Sequence, residues 1–295
     1  MRGEIEEAVR LLKSADPDSL EKALTLLQDS VFSFSMRVCN QREDAEDTMQ
    51  EVLAKSLSVL PKFDNPKALV VWLYKVAKSR CLMSRRKSKF APAKELSLDE
   101  LMPDRGELAQ LAISGGINPE AFAIHSQEAQ WLRDAIQKVP TDYRIVLVLR
   151  DMEGLSDDEV AEITGLRPGT VRVRLHRARL FVRKEISKRL QADRKVAAPL
   201  PPKAVISQPR PAQCKAMFAE LSDYLDEKLD DSMCSELEKH IDGCEPCKAF
   251  VESLQNTITA LRDSAGQPPD PKLAKKLRKD LIAGYSAAMS QSSRR

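Results

Sequence analysis

The sequence predicts an all-α chain: two small helical domains followed by a small helical, cysteine-rich module. Three observations lead there. Apolar residues recur at helical spacing through most long segments. Charged residues make up 31% of the chain and aromatic residues only 5%, a mix that suits small bundles better than a sheet enzyme with a deep pocket. Proline clusters cut the pattern, and four of the six cysteines crowd into one stretch beyond the last large cluster.

Leu20, Ala23, Leu24, Leu27, Val31, Phe34 and Val38 place an amphipathic helix over residues 18–40. A second helix runs from about Asp44 to Leu60, where Pro61 and the Asp64-Asn65-Pro66 turn stop it. A third runs from about Pro66 to Lys87. These helices share one core, giving a first domain over residues 10–90. Residues 91–125 carry Pro92, Pro103, Gly115, Gly116 and Pro119 and read as a flexible tether, with room for a short helix around Leu96 to Leu101. A helical unit follows over 126–190. Pro199, Pro201, Pro202, Pro209 and Pro211 make residues 191–213 a semi-extended linker. The cysteine module occupies 214–265. After another proline break, Leu273, Leu277, Leu281 and Tyr285 step every fourth residue along a last helix, 272–288, whose single stripe predicts docking.

The net charge of +3 hides a sharp division. Lys75, Lys78, Arg80, Arg85, Arg86, Lys87 and Lys89 form one basic block. Arg167, Arg172, Arg174, Arg177, Arg179, Arg183, Lys184, Lys188 and Arg189 form another. Cys214 to Cys247, by contrast, holds ten acids against three lysines. Opposite surfaces on one chain attract, so an intramolecular contact between the acidic module and the basic domains is expected. The longest apolar run, Ala68 to Tyr74, is far below a bilayer span, and MRGEIEEAVR lacks the apolar core of a signal peptide. A cytoplasmic protein without membrane contact is expected.

Within 126–190, Ser156-Asp157-Asp158-Glu159 has the form of a capping box. Gly165 ends that helix, Pro168 and Gly169 follow, and Thr170 opens the next. Helix, glycine turn and helix is a DNA-binding geometry in which the second helix enters the major groove. Val171, Leu175, Ala178 and Val182 face the core on this reading. Arg172, Arg174, His176, Arg177 and Arg179 project outward, where arginine forks suit guanine edges and phosphates. A merely solvated basic face does not account for the capping box, turn and arginine spacing together. His125 carries no signal.

Two stretches narrow the function. Asp44-Ala45-Glu46-Asp47-Thr48-Met49-Gln50-Glu51-Val52 is followed by Lys62-Phe63, by Trp72-Leu73-Tyr74-Lys75-Val76-Ala77-Lys78-Ser79-Arg80, and by Arg85-Arg86-Lys87. This resembles region 2 of an extracytoplasmic-function sigma factor. Val139-Pro140, then Val146 to Ser156, and Gly169-Thr170-Val171-Arg172-Val173-Arg174-Leu175-His176-Arg177-Ala178-Arg179 resemble its region 4. The resemblance covers most of residues 10–190 and departs at Val70-Val71 and at Leu82-Met83-Ser84. It implies that Asp44, Glu46, Asp47, Gln50 and Glu51 dock on core RNA polymerase. It also implies that Phe63, Asp64 and Asn65 hold a flipped base of the promoter −10 element. Lys75, Lys78, Arg80, Arg85 and Arg86 then hold the strand, offsetting the few kcal/mol that unstacking costs per step. Trp72 is a core residue on this reading. Thr170, Arg172, Val173, Arg174, His176 and Arg177 read the −35 element.

Cys39 and Cys81 sit in apolar helical contexts and read as buried free thiols. His240-Ile241-Asp242-Gly243-Cys244-Glu245-Pro246-Cys247 is different. His240 and Cys244 lie one helical turn apart and Cys247 follows on a turn, so three soft ligands converge as tetrahedral zinc requires. Cys234 precedes His240 by roughly 240° of helix, on the wrong face. Cys214 is therefore the expected fourth ligand, with Cys234 the alternative. The module resembles zinc-binding anti-sigma domains, in which a helix after the zinc site wedges between sigma regions 2 and 4. That implies modulation in cis, with the Leu273 to Tyr285 helix as wedge. The competing reading is a helix-turn-helix regulator with a zinc-dependent sensor domain, but such a regulator has no use for Asp44 to Val52 or Trp72 to Lys87. No paired catalytic carboxylates, nucleophile elbow or phosphate loop argue for an enzyme.

Overall fold

The computed structural model describes residues 2–12, 17–39, 41–56, 59–60, 63, 65–86, 95–104, 106–108, 126–194, 212–264, 266 and 268–292. Among these residues there are helices and connecting turns and no strand, as the sequence predicts. The chain divides into two compact units. One comprises residues 1–92, 148–168 and 265–295, the other residues 93–147 and 169–264.

In the first unit, α1 (Arg2–Leu12), α2 (Pro17–Cys39), α3 (Arg42–Ser56) and α4 (Pro66–Arg86) share one core. The stripe Leu24, Leu27, Val31, Phe34 and Val38 of α2 is buried, and Leu69, Leu73, Ala77 and Cys81 of α4 meet it. Phe34 packs edge-on to Tyr74 with ring centroids 4.9 Å apart. α1, an element not singled out in the sequence, adds Ile5, Ala8 and Val9. The reading of Cys39 and Cys81 as free thiols is corrected: they form a disulfide between the end of α2 and α4, with Cα atoms 5.3 Å apart. Their separation of 42 residues leaves no local spacing from which the pairing could be read.

Two further segments join this unit. α13 (Pro271–Ser292) starts on Asp270, whose Oδ1 accepts the backbone N–H groups of Lys272 and Leu273, both at 2.9 Å. It packs on α2 and α3, burying Ala274 and Leu281. The buried Gln28 of α2 donates to the Ala274 carbonyl at 3.2 Å and accepts from Arg278 at 3.1 Å. The predicted docking stripe thus has a partner, although the side chain of Tyr285 lies outside the described residues.

The other segment is a single π-helical turn, Val148–Met152, followed by α8 (Asp157–Thr164). The capping box is present: Ser156 Oγ accepts from the Glu159 N–H at 3.2 Å, and Glu159 accepts from the Ser156 N–H at 2.8 Å. Gly165 closes the helix in the left-handed conformation at φ 76°, which costs glycine nothing sterically. Just before α8, Glu153 is buried against α2 and α4. It accepts from Tyr74 Oη at 2.5 Å and from Arg37 Nη1 at 3.1 Å. Burial pushes the Glu153 carboxyl above the usual carboxylate range, against the pull of Arg37, and the Tyr74 hydroxyl well above its own.

In the second unit, α5 (Leu98–Leu101) lies in the stretch expected to be a tether, yet Leu96, Leu101, Met102 and Leu108 are buried. α6 (Ser126–Lys138) and α7 (Thr141–Leu147) are joined by a tight turn. The buried Arg144 holds that turn, donating to the carbonyls of Gln137 and Val139 at 2.7 and 3.0 Å. α9 (Pro168–Arg194) buries Val171, Leu175, Ala178 and Val182, the stripe the sequence assigns to the core. α10 (Ala212–Leu225), α11 (Asp231–Asp242) and α12 (Glu245–Asp263) form the cysteine module. Its center is Phe218 on α10 edge-on to Phe250 on α12, 4.8 Å between centroids, with Leu221, Leu254 and Leu261 around them.

Replacing Ser156 by Ala removes the acceptor for the Glu159 N–H and leaves that donor to water. A loss of about 1 kcal/mol is expected, read as a lower denaturant midpoint at unchanged slope.

Candidate nucleic-acid interface and metal cluster

α9 has 27 residues, and its faces differ in exposure. Thr170, Arg172 and Val173 are exposed at its N-terminal end, Val173 at 49%. An apolar residue left that open on a long helix is available to contact a partner. Arg174 and Arg177 are half-buried, and the Arg174 guanidinium lies 5.6 Å from the center of the Tyr143 ring.

His176 and Arg179 do not project outward, contrary to the sequence expectation. Together with Arg183 they follow helical spacing and form a polar stripe that the cysteine module covers. His176 Nδ1 is 2.7 Å from Ser222 Oγ on α10. Burial, reinforced by the neighboring Arg179 charge and opposed by a hydrogen bond with the Phe218 backbone, brings its imidazole down to about 4. Arg179, fully out of water, donates two hydrogen bonds to Asp226, at 2.9 and 3.1 Å. Arg262 of α12 also reaches Asp226, at 3.1 Å. The Arg183 guanidinium stacks over Phe250 at 4.2 Å. Among the described residues its Nε and Nη1 have no hydrogen-bond partner, and burial lowers its pKa to about 10. Sequence reasoning missed this second face because its residues look like more of the same basic run. The signal available was their spacing, which sets them apart from Arg172 and Val173.

In the first unit, Phe63 is half-buried, its ring tilted against the half-buried Trp72 at 6.2 Å. The exposed Asn65 caps the start of α4, its Oδ1 accepting the Lys67 N–H at 2.9 Å. Lys75 is exposed. Lys78 is not: its Nζ donates to the Ile163 carbonyl at 2.6 Å, and burial lowers its pKa. Arg80 pairs with Glu51 at 2.6 Å, and Lys55 reaches the same carboxylate at 2.7 Å. These cations, the Lys55 hydrogen bond first, hold Glu51 below the usual carboxylate range. Asp64 and the side chains of Arg85 and Arg86 lie outside the described residues. Asp44, Glu46, Asp47, Gln50 and Glu51 are on α3, with Asp47 exposed and Glu46 paired to Arg42 at 2.8 Å. A groove of about 280 Å³ runs between α3 and α4, with Val52, Trp72, Val76 and Met83 along it and Lys75 and Arg80 among its charged lining.

The candidate metal-ligating residues converge on the seam between α11 and α12. His240 is in the last turn of α11, Cys244 is the N-cap of α12, and Cys247 is buried in its first turn. Their ligand atoms all lie within 4.8 Å of one another, with Cys247 Sγ 3.5 Å from His240 Nε2. One imidazole and two thiols at this spacing suit a tetrahedral, soft-ligand ion. Cys234 is outside the cluster, its Sγ directed at the Leu229 carbonyl at 3.9 Å. Cys214 lies on α10, but its side chain is outside the described residues.

Comparison with known proteins fits these surfaces. Residues 24–90 match the family "Sigma-70 region 2", residues 129–182 match "Sigma-70, region 4", and residues 214–248 match a family described as "Putative zinc-finger". The chain is 26% identical to the ECF RNA polymerase sigma factor SigW of Bacillus subtilis, over 62% of this chain and 96% of that protein. It is 27% identical to the RNA polymerase sigma factor YlaC of the same species, over 60% of this chain and 97% of that protein. A solved complex of the sigma factor RpoE with the anti-sigma factor NepR from Bartonella quintana superposes at a TM-score of 0.42. It has 20% identity over 57% of this chain and 97% of that one, too loose to argue from. Among the described residues no helix is long and apolar enough to cross a membrane. With both sigma regions in order, a zinc-finger module after them and relatives that are sigma factors over nearly their whole length, the chain belongs to the extracytoplasmic-function sigma factors, which direct transcription initiation.

Proposed function

We propose that this sigma factor is held closed in cis by its C-terminal module, which covers part of the helix that reads the −35 element. The carrying observation is the pair between Arg179 of α9 and Asp226 of the module, both buried and joined by two hydrogen bonds. A guanidinium removed from water is tolerable only when paired, so this contact requires the module in place. Ser222 and Phe250 occupy the same stripe by taking His176 and Arg183. α13 supports the reading from the other unit: it lies on α2 and α3, and α3 carries the candidate polymerase-binding residues Asp44, Glu46, Asp47, Gln50 and Glu51. A short tether raises the effective concentration of the module to around millimolar, so each docking contact need only be weak.

In the open form, Thr170, Arg172, Val173, Arg174, His176 and Arg177 read the −35 element. Phe63, Asp64, Asn65, Lys75, Lys78, Arg80, Arg85 and Arg86 engage the −10 strand, in the cytoplasm, with core RNA polymerase on α3. Zinc is the ion that suits His240, Cys244 and Cys247, with Cys214 completing the set. A structural zinc supplies folding energy to a small module, on the order of 10 kcal/mol. Its removal by a chelator is therefore expected to unfold the module and bring promoter-specific initiation up to the level of the truncated chain.

The direct test is in vitro transcription with core polymerase, comparing the full chain with one ending at Arg194. Truncation is expected to raise promoter-specific initiation. Asp226→Asn in the full chain should move it the same way by about tenfold or more, since it leaves Arg179 buried beside a weaker acceptor. Equal activity of full and truncated chains would remove the cis-inhibition reading.

Docking should also depend on pH through His176, which faces Ser222 and the Phe218 backbone of α10 and has Arg177 and Arg179 beside it. The docked imidazole is neutral to about pH 4, against an ordinary value of 6.5. Docking is then at full strength above pH 6.5 and weakens as pH falls toward 4, by up to ~3 kcal/mol. Amide-exchange protection of α10 should fall across that window in the parent chain and hold steadier in His176→Gln.

A further inference from the structure

We propose that residues 148–164 act as a clasp that closes the front of the helix-turn-helix onto the region 2 helices, with Glu153 as its latch. The proposal builds on the assignment of regions 2 and 4 but not on the zinc module, none of whose residues takes part.

The first observation is a mismatch between sequence and packing. The region 4 match runs unbroken over 129–182, whereas 148–168 clusters with α1 to α4. A segment that belongs to one domain by descent and to another by packing has two homes. The second observation is the chemistry of the contact. At its center, Glu153 is 1% exposed and takes both of its described partners from the region 2 helices: Arg37 at the end of α2 and Tyr74 on α4. One turn further along α4, Lys78 donates to the Ile163 carbonyl near the end of α8. The segment also buries apolar side chains, Leu149, Leu155, Val160 and Ile163 among them; what sets the contact apart is the polar cluster at its center. A carboxylate, a guanidinium, a phenol and an ammonium are well hydrated when released, and such contacts hold firmly only while every partner is present.

The third observation gives the clasp a consequence. Lys78 is one of the residues assigned to the −10 strand. Its ammonium, half-buried and committed to Ile163, is not free to meet a phosphate while the clasp is shut. Closing thus withdraws a strand contact from region 2 while tying down the first helix of the helix-turn-helix.

Tyr74→Phe is the gentlest test, because it deletes one hydroxyl and keeps the ring against Phe34. It is made in the full-length, zinc-loaded chain, with Glu153→Gln as a second variant. Two readouts are taken: amide exchange over 157–164, and promoter-specific initiation with core polymerase. Tyr74→Phe is expected to speed exchange in that segment and to raise initiation roughly tenfold, the loss of one hydrogen bond to a charged group. Glu153→Gln should act in the same direction, and the double variant should exceed neither single variant by much, since both break one latch. Combined with Asp226→Asn, Tyr74→Phe should add its full effect. Unchanged exchange in Tyr74→Phe overturns the clasp. So does faster exchange without a rise in initiation, which makes the contact part of the fold alone. A rise with Tyr74→Phe but none on truncation at Arg194 leaves the clasp standing and removes the module's role instead.

Discussion

A charge withdrawn from water must bring its partner with it, and both units of this chain are organized around that constraint. In one, the Arg179 guanidinium is fully buried and Asp226 meets it with two hydrogen bonds. In the other, Glu153 is buried and Arg37 and Tyr74 meet it. Each lies beside apolar packing, around Phe218 and Phe250 in one unit and around Phe34 and Tyr74 in the other. Apolar packing tolerates gradual loosening. A buried ion pair does not, because removing one partner strands the other. A pair of this kind is either made or broken, with little between.

The same constraint explains how one helix can serve two purposes. α9 is long enough to carry an inward apolar stripe from Val171 to Ile186, an exposed end at Thr170 to Val173, and the covered stripe His176, Arg179, Arg183. Arginine suits the third face because its aliphatic stem packs while its head pairs or stacks, as Arg183 does over Phe250. Arg183 is also the least settled group in the contact, with Nε and Nη1 unpartnered. A docking surface with one well-paired cation and one poorly satisfied cation is specific without being very tight, which suits the proposed opening.

Much of this was legible in the sequence, and the boundary of legibility is physical. Local signals carried through: the capping box at Ser156, the left-handed Gly165 and the α9 core stripe each depend on residues of one helix or its ends. His240, Cys244 and Cys247 converge for the same reason, since a helix end, its successor's N-cap and first turn fix their spacing. What could not be read was set by distant partners. The Cys39–Cys81 pairing joins residues with no spacing relation. His176 and Arg179 read as outward in the sequence because nothing in their own helix says what will cover them. Tyr74 and Glu153, 79 residues apart, carry no motif connecting them. The short helix at Leu98–Leu101 falls where the sequence left room for one, but the prolines and glycines around it gave no sign that Leu96 and Leu101 would be buried.

The two buried pairs need not be redundant. Asp226 acts on the recognition helix and Glu153 on the segment before it, so in the proposed closed form each half of the helix-turn-helix is held by its own ion pair. Opening one leaves the other half committed, and a two-helix motif reads DNA only when both helices are free to act together. If each pair alone shifts the balance by about tenfold, the two in series shift it by about a hundredfold, roughly 2.7 kcal/mol. That is enough to keep a promoter reader silent and small enough for polymerase binding at the proposed α3 surface to overcome. Leakage then depends on two rare events coinciding, and a signal acting on the module alone relieves only half of the restraint until polymerase supplies the rest.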